Sequence, residues 1–97
     1  MVPFKIRNFT FIDNRGHGWL QVPYQDVVDA GIESDISELS YRNQAHAFLE
    51  QYGDAPRFID VLKKRHIQFK ITVTEVQDFV KFLQSLPHIT VRFNKLR

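Results

Sequence analysis

The sequence predicts a single α+β domain over residues 1–97, with one mixed, mainly antiparallel sheet and helices packed chiefly on one of its faces. Alternating apolar and polar residues predict strands towards both ends of the chain, whereas apolar stripes at helical spacing predict helices between them. Gly- and Asn-containing breaks between the early strands favour hairpins, and the later strand–helix–strand order allows parallel pairing. The predicted element order is β-β-α-β-β-α-β-α-β.

The first predicted strand covers residues 2–13 and changes its apolar phase part-way along. Before Arg7-Asn8 the apolar side chains fall on one face, and after it Phe9 and Phe11 fall on the other. Because strand side chains alternate strictly between faces, this shift indicates one of two arrangements. Either a bulge lies near Arg7-Asn8, or Phe9 and Phe11 cover the opposite face beneath a helix.

Asn14 to Gly18 predicts a turn that connects this strand to a second one over Trp19–Val22. The loop is expected to be somewhat longer than the two-residue minimum. Two interpretations of it remain open. In the first, His17 caps the turn and Trp19, the sole tryptophan, packs in the core. In the second, the loop is a recognition tip, since loops carry function more often than their share of residues.

Seven more elements follow in the predicted order. They are a helix over Tyr24–Ala30 ended by Gly31, strands over Ile36–Tyr41 and Ala45–Glu50, a helix from Asp54 to Arg65, a strand over Ile67–Val73, a helix over Val76–Leu83 and a strand over Ile89–Phe93. Asp54 is the expected N-cap of its helix, and Thr74 with Gln77 forms an expected capping box for the next. Helix propensity also allows a helix over Ala45–Glu50. The strand over Ile67–Val73 is predicted to be half buried.

Composition excludes several classes of protein. The chain is 43% hydrophobic and 25% charged, close to globular averages, so disorder along its whole length is not expected. No apolar run is long enough to span a membrane and no signal peptide is recognisable, so a cytoplasmic protein is expected. The absence of cysteine excludes disulfides and thiolate metal sites.

No pattern of catalytic residues is recognisable, and the sequence predicts neither an enzyme nor a cofactor site. The four histidines are dispersed without metal-ligand spacing, so no metal site is expected; they are His17, His46, His66 and His88. Gly16-His17-Gly18 leads into a strand, whereas a phosphate-binding loop would lead into a helix. An acid–base pair of His17 with Asp13 across the hairpin is conceivable, but pairs of this kind at turns are usually structural.

Charge is distributed unevenly along the chain, although the net charge is only +2. Residues 26–54 carry seven carboxylates against one arginine, whereas residues from 57 onward carry nine Lys or Arg against three carboxylates. Such asymmetry is able to create two opposed surface potentials, and it is also compatible with two ordinary solvated faces. The basic half suggests DNA or RNA binding, with the candidate phosphate contacts Lys63, Lys64, Arg65, Lys70 and Arg92.

One stretch and several shorter segments carry a family resemblance. They are Gly16-His17-Gly18-Trp19-Leu20-Gln21-Val22-Pro23, Gly31-Ile32, Ile36-Ser37, Ser40-Tyr41, Phe48-Leu49-Glu50 and Asp54-Ala55. In this order they resemble a group of small uncharacterised proteins encoded by bacteriophages, prophages and plasmids. The resemblance covers about residues 11–66. The chain departs from the group at Gln21, where an acidic residue is usual, and at residues 51–53, where an acidic run with a cysteine is common.

The resemblance implies a setting and transfers no catalytic residue. A small, cysteine-free protein from a mobile element is expected to act by binding a host protein or ribonucleoprotein, as anti-CRISPR inhibitors do. The expected partner-binding residues are Asp26, Asp29, Glu33 and Asp35, which would oppose a basic nucleic-acid channel, together with His17 and Trp19. Monomer and homodimer both remain open, because the edges of a mixed sheet need protection.

Overall fold

The computed structural model of the chain describes residues 6–87. Five strands form one sheet: β1 Arg7–Asn14, β2 His17–Pro23, β3 Tyr41–Arg42, β4 His46–Glu50 and β5 Phe69–Glu75. Three α-helices and a 3₁₀ turn complete the elements: α1 Tyr24–Asp29, the 3₁₀ turn Glu33–Asp35, α2 Asp54–Lys64 and α3 Phe79–Leu83. The predicted strand over Ile89–Phe93 and the candidate contact Arg92 lie outside the described residues.

The sheet has the strand order β3-β4-β2-β1-β5 and confirms the predicted fold class. The β1–β2, β2–β4 and β3–β4 pairs are antiparallel, and the β1–β5 pair is parallel. The parallel pair is the one that joins the two halves of the chain, because β5 follows the long connection through α2. Ala45–Glu50 is a strand almost as predicted, so the alternative of a helix there is wrong.

One side of the sheet, which we call face A, is covered by α1 and α2. Phe9, Leu20 and Leu49 project from three adjacent strands into a core that also contains Val27 of α1 and Phe58 of α2. The Phe9 and Phe58 ring centroids are 5.5 Å apart in an edge-to-face arrangement. Phe9 therefore lies beneath a helix, and the unbroken β1 registers with both neighbouring strands show no bulge. This confirms the second of the two predicted arrangements.

The opposite side, face B, carries a smaller core beneath α3. Ile12, Trp19 and Phe48 of the sheet pack against Phe79 and Leu83 of the helix. In the described part of the chain, helices thus lie on both faces, with α1 and α2 on face A and α3 on face B. Trp19 is 5% exposed, which agrees with the interpretation that places its ring in the core.

The predicted strand over Ile36–Tyr41 is wrong for most of its length, since β3 contains only Tyr41 and Arg42. The preceding backbone groups have partners outside the sheet. The Ser37 amide donates to the Asp54 carboxylate, and the Leu39 carbonyl accepts from the indole N–H of Trp19. These side-chain bonds replace the ladder that a strand would have formed.

The predicted helix starts also differ from those in the structure. Gly53 occupies the N-cap position of α2, and the Asp54 carboxylate is directed at two serines rather than at its own helix. Thr74 lies inside β5, so it forms no capping box with Gln77. The helix that the box was expected to start begins only at Phe79, after Asp78 in the left-handed conformation.

Strand β5 is more exposed than the predicted half-buried strand. Only Phe69 is partly buried, and the other six residues are exposed. The reason is the position of β5 at one edge of the sheet. The buried side chains of α2 pack over β1, β2 and β4 instead.

Candidate partner-binding surface

The hairpin that presents the surface is tighter than predicted. Asn14 pairs with His17, which leaves only Arg15 and Gly16 in the turn. Both have positive φ, at 55° and 89°, as a type I′ turn requires. The Asp13 carboxylate accepts from the Gly16 amide at 3.0 Å and takes the capping role that was predicted for His17. His17 is therefore free of the turn and becomes the first residue of β2.

His17, Trp19 and Tyr52 form a column of rings at the edge of face B. His17 and Trp19 are two residues apart on one strand, so their side chains lie on the same face. Their ring centroids are 4.5 Å apart with an interplanar angle of 23°. Extending the Trp19↔Glu50 register by two residues brings His17 opposite Tyr52, and these two rings are 6.0 Å apart. The buried indole thus supports the His17 ring, and the Tyr52 ring lies beside His17.

Strand β4 holds His17 in place through a buried carboxylate. Glu50 is 4% exposed, and its Oε2 lies 3.1 Å from Nε2 of His17. Its other oxygen, Oε1, accepts from the Gly53 amide at 3.0 Å. Gln51 adds a contact from the same segment, because its side-chain oxygen accepts from the Gly18 amide. His17 is half exposed, with 48% of its side chain accessible, but its orientation is fixed from below.

Exposed apolar side chains occur in this column and in the segments that pack around Trp19. Tyr52 is 72% exposed, Leu39 59% and Phe82 45%. Leu39 adjoins Trp19, whose indole N–H donates to its carbonyl at 3.1 Å. The Phe82 ring lies 5.9 Å from Phe48, in the cluster that underlies Trp19. We call His17, Leu39, Tyr52 and Phe82 the aromatic surface. Large exposed apolar groups gathered on one face are typical of a protein-binding site.

A buried polar network lies behind the aromatic surface. The Asp54 carboxylate accepts from the amide and hydroxyl of Ser37 and from the hydroxyl of Ser40. The Ser40 oxygen in turn accepts from the Glu50 amide at 2.8 Å. Ser40, Glu50 and Asp54 are each at most 4% exposed. Because these polar groups are hydrogen-bonded to each other, their burial is tolerated and the end of β4 is held in position.

This network does not place a nucleophile at the surface. The Ser40 side chain is fully buried and directs its proton to Asp54, while His17 bonds Glu50. A serine nucleophile is activated by a general base, most often an imidazole, within hydrogen-bond reach of its hydroxyl. Between residues 6 and 87, no three His, Asp or Glu side chains come together as metal ligands would.

The predicted acidic residues lie apart from the aromatic surface, and three of the four contact other side chains of the chain. Asp26 pairs with Arg7 at 2.8 Å, Glu33 accepts from the Tyr24 hydroxyl at 2.7 Å, and Asp29 accepts from Gln25. Asp35 is exposed in the 3₁₀ turn. The expected set of six is therefore divided, with His17 and Trp19 on face B and the four carboxylates in and after α1.

The basic candidates are also divided. Lys63, Lys64 and Arg65 end the helix that covers face A, whereas the Asn8↔Lys70 register places Lys70 on face B. Lys64 pairs with Asp60 at 3.1 Å, one turn earlier in its own helix. Arg65 donates to the Asp29 carbonyl at 2.7 Å and so closes the end of α1. The four candidates within residues 6–87 therefore do not form one continuous phosphate-binding row.

A small cavity of about 30 Å³ lies where Arg65 meets α1. Arg7, Asp26 and Leu62 line it together with Arg65. The Asp26 side chain is 10% exposed, and its Oδ2 is buried without a hydrogen-bond partner among the described residues. The volume suits one water molecule, which would satisfy this oxygen.

Sequence reasoning identified His17 and Trp19 but missed Leu39, Tyr52 and Phe82. The sequence signal for Tyr52 was an aromatic residue directly before a glycine, in Tyr52-Gly53. This signal did not show that Tyr52 lies beside His17, because the register that brings the end of β4 beside His17 is a property of the sheet. Ser37, Ser40, Glu50 and Asp54 all belong to segments that carry the resemblance, and their convergence was also missed.

Comparisons of the chain with protein-family models, with curated proteins and with solved structures found no match. None of the helices within residues 6–87 has the length and apolar character needed to cross a lipid bilayer.

Proposed function

We propose that the chain is a non-enzymatic binding protein of the mobile-element type, which acts by protein–protein contact. Its target in this proposal is a host protein or ribonucleoprotein, specifically a nucleic-acid-handling defence complex of the kind that anti-CRISPR proteins inhibit. The proposal places the protein in the cytoplasm, where such complexes act. The choice of target rests on the resemblance, and the mode of action rests on the aromatic surface.

The exposure of Tyr52 on a fixed support is the observation that carries the proposal. Tyrosine contributes large contact area at low conformational cost and is enriched among residues that dominate binding energy. Here its ring stands beside His17, which is itself held by Glu50 and stacked on Trp19. A surface that is already ordered loses little entropy on binding, so more of the contact energy appears as affinity.

In this proposal the exposed carboxylates have a secondary role at the periphery of the binding surface. Asp29 and Asp35 remain exposed, and both belong to the acidic segment of the chain. Exposed rim charges chiefly accelerate the approach of an oppositely charged partner rather than hold the complex together. A basic nucleic-acid channel carries the opposite charge and is a partner of this kind.

The test is inhibition of a defence system in living bacteria. Cells that carry an active CRISPR–Cas system would express the protein, and the efficiency of phage plating would be measured. We expect inhibition with the wild type and a loss of about tenfold or more with Tyr52→Ala plus Leu39→Ala, which removes two exposed contacts. The matched control is Ile6→Ala, since Ile6 is 49% exposed and lies outside the aromatic surface.

Direct binding of DNA and RNA at two salt concentrations completes the test. Binding that weakens steeply with salt, and that is lost in Lys63→Glu plus Lys64→Glu, would contradict the proposal and favour a phosphate-contacting function. Equal inhibition by the wild type and the Tyr52/Leu39 variant would exclude the aromatic surface. Circular dichroism of each variant shows whether the fold is retained.

A further inference from the structure

Strand β5 presents a long and regular edge. Its seven residues pair with β1 without interruption, from Arg7↔Phe69 to Asp13↔Glu75. It lies at the end of the strand order, and no described strand pairs with its outer side. The strand contains neither proline nor a bulge, two of the devices by which proteins protect such edges. Its outward backbone groups therefore have no strand partner within residues 6–87.

The same strand exposes apolar side chains on face A. Ile71 is 42% exposed and Val73 is 66% exposed. Phe9 and Phe11 are their partners in β1, so the four side chains form two adjacent pairs on this face. A β-branched pair on an unpaired edge gains stability when an apolar cross-strand neighbour covers it.

We propose that β5 pairs with β5 of a second copy of this chain, antiparallel, about a two-fold axis through Thr72. The two five-stranded sheets then form one continuous sheet of about ten strands. In it, the outward backbone groups of each β5 are hydrogen-bonded to those of the other. This dimer is independent of the proposed function, because the aromatic surface contains no residue of β5.

The sequence of β5 is complementary to itself in this register. A two-fold axis perpendicular to the sheet keeps face A continuous, so only residues on the same face can be opposed. Centring on Thr72 opposes all seven residues of both strands and places each Ile71 opposite Val73 of the second copy. On face B, Thr72 meets Thr72, and Lys70 meets Thr74. No like charges are opposed, and Thr–Thr pairs are favourable across strands.

The pairing also extends the apolar row on face A. Phe11 and Val73 of one copy would lie in line with Ile71 and Phe9 of the second copy, by the β1–β5 register of each. The most exposed apolar residue of the strand, Val73, would thereby have apolar neighbours on both sides. A register shifted by two residues would leave part of each strand unpaired, which favours the centred one.

Single cysteines test the register, because the chain has no native cysteine. In the proposed dimer the two Thr72 Cα atoms are about 4.5–5.5 Å apart, within the range for a disulfide. We expect Thr72→Cys to form a disulfide-linked dimer under mild oxidation. The control is Lys70→Cys on the same face, whose copies would be four residues apart along the strand, roughly 13 Å, too far to link.

Solution mass provides the second measurement. We expect light scattering to approach twice the chain mass of 11.5 kDa as concentration rises. Val73→Lys should weaken the dimer by about tenfold or more, because it places a charge opposite Ile71. Leu39→Lys, which alters an exposed apolar residue outside β5, should leave it unchanged.

Two results would overturn the proposal. The first is a wild type that remains monomeric up to several hundred micromolar. The second is equal disulfide formation by Thr72→Cys and Lys70→Cys, since this would show random collision or a different register. An association that Leu39→Lys abolishes and Val73→Lys spares would likewise place the interface on the aromatic surface.

Discussion

The backbone N–H of Phe79 donates to the side-chain oxygen of Asn14 at 2.9 Å, across 65 positions of the sequence. Phe79 is the first residue of α3, and no side chain at its own N-cap, Asp78, makes the capping bond. The hairpin therefore supplies the cap of a helix that is only five residues long. A helix this short depends on tertiary contacts, so the cap links the position of α3 to the hairpin.

Asn14→Ala should loosen α3 from face B. Loss of a capping acceptor costs about 1 kcal/mol of stability. The fluorescence of Trp19 would report the change, because Trp19 is the sole tryptophan and its ring lies 6.0 Å from Phe79. Asn14→Asp keeps an acceptor at the helix start and should restore the wild-type signal. An unchanged spectrum in Asn14→Ala would show that packing alone holds the helix.

Gly18→Ala should destabilise the protein strongly. A Cβ at Gly18 would lie 2.1 Å from the Phe11 ring and 2.9 Å from the Ile12 carbonyl oxygen, so both a ring and the backbone must move. Overpacking of this kind costs about 1–3 kcal/mol. Gly53→Ala is the matched control, because its Cβ would meet only Glu50 Oε1 at 3.6 Å. Chemical denaturation of both variants measures the difference, and similar midpoints would refute the close approach of Phe11.

Ser40→Ala should reduce the free energy of unfolding by about 1–3 kcal/mol. The reason is that Asp54 loses a buried donor and the Glu50 amide loses its acceptor at the same time. Ser85→Ala also removes a hydroxyl that bonds the chain, but Ser85 is exposed and should cost less than about 0.5 kcal/mol. Urea titrations of the two variants provide the comparison. If both cost the same small amount, the buried network does not stabilise the fold as inferred.

Arg65→Ala should reduce the stability of the protein more than Lys64→Ala, although both remove one cation near the end of α2. Arg65 donates to the Asp29 and Ala30 carbonyls, so its loss leaves the C-terminus of α1 without this cap and should cost about 1 kcal/mol. Lys64 forms an exposed pair with Asp60, and such pairs contribute at most about 0.5 kcal/mol. Thermal unfolding of the two variants checks the order. A larger loss for Lys64→Ala would contradict it.

Much of the fold was predictable because apolar periodicity depends on neighbours within a few positions. The stripe of Ala55, Phe58 and Leu62 predicted α2 and its buried face, and all three are buried. The alternation around Phe9 and Phe11 and the turn residues after Asn14 predicted the first hairpin. Local patterns of this kind determine which side chains must leave water, and so they determine the elements.

Two of the errors share one cause, which is competition from hydrogen-bond partners distant in the sequence. Leu39 and Tyr41 have the two-residue spacing of one strand face, yet the indole N–H of Trp19 donates to the Leu39 carbonyl. Asp54 stands where an N-cap is expected, yet Ser37 and Ser40 occupy its carboxylate. In each case a tertiary hydrogen bond replaced the local one, and no local pattern contains that information.

The sequence by itself determined most of the element types and the mixed sheet, because hydrophobic spacing and turn chemistry act over short distances. It left the burial of Trp19 as one of two interpretations. Only the tertiary structure decided that Tyr52 stands beside His17, that Glu50 is buried beneath them, and that the acidic and basic candidates are divided between separate regions. The register between strands determines which of these side chains lie beside each other. Register follows from the packing of the whole sheet, where a shift of one residue would exchange the two faces.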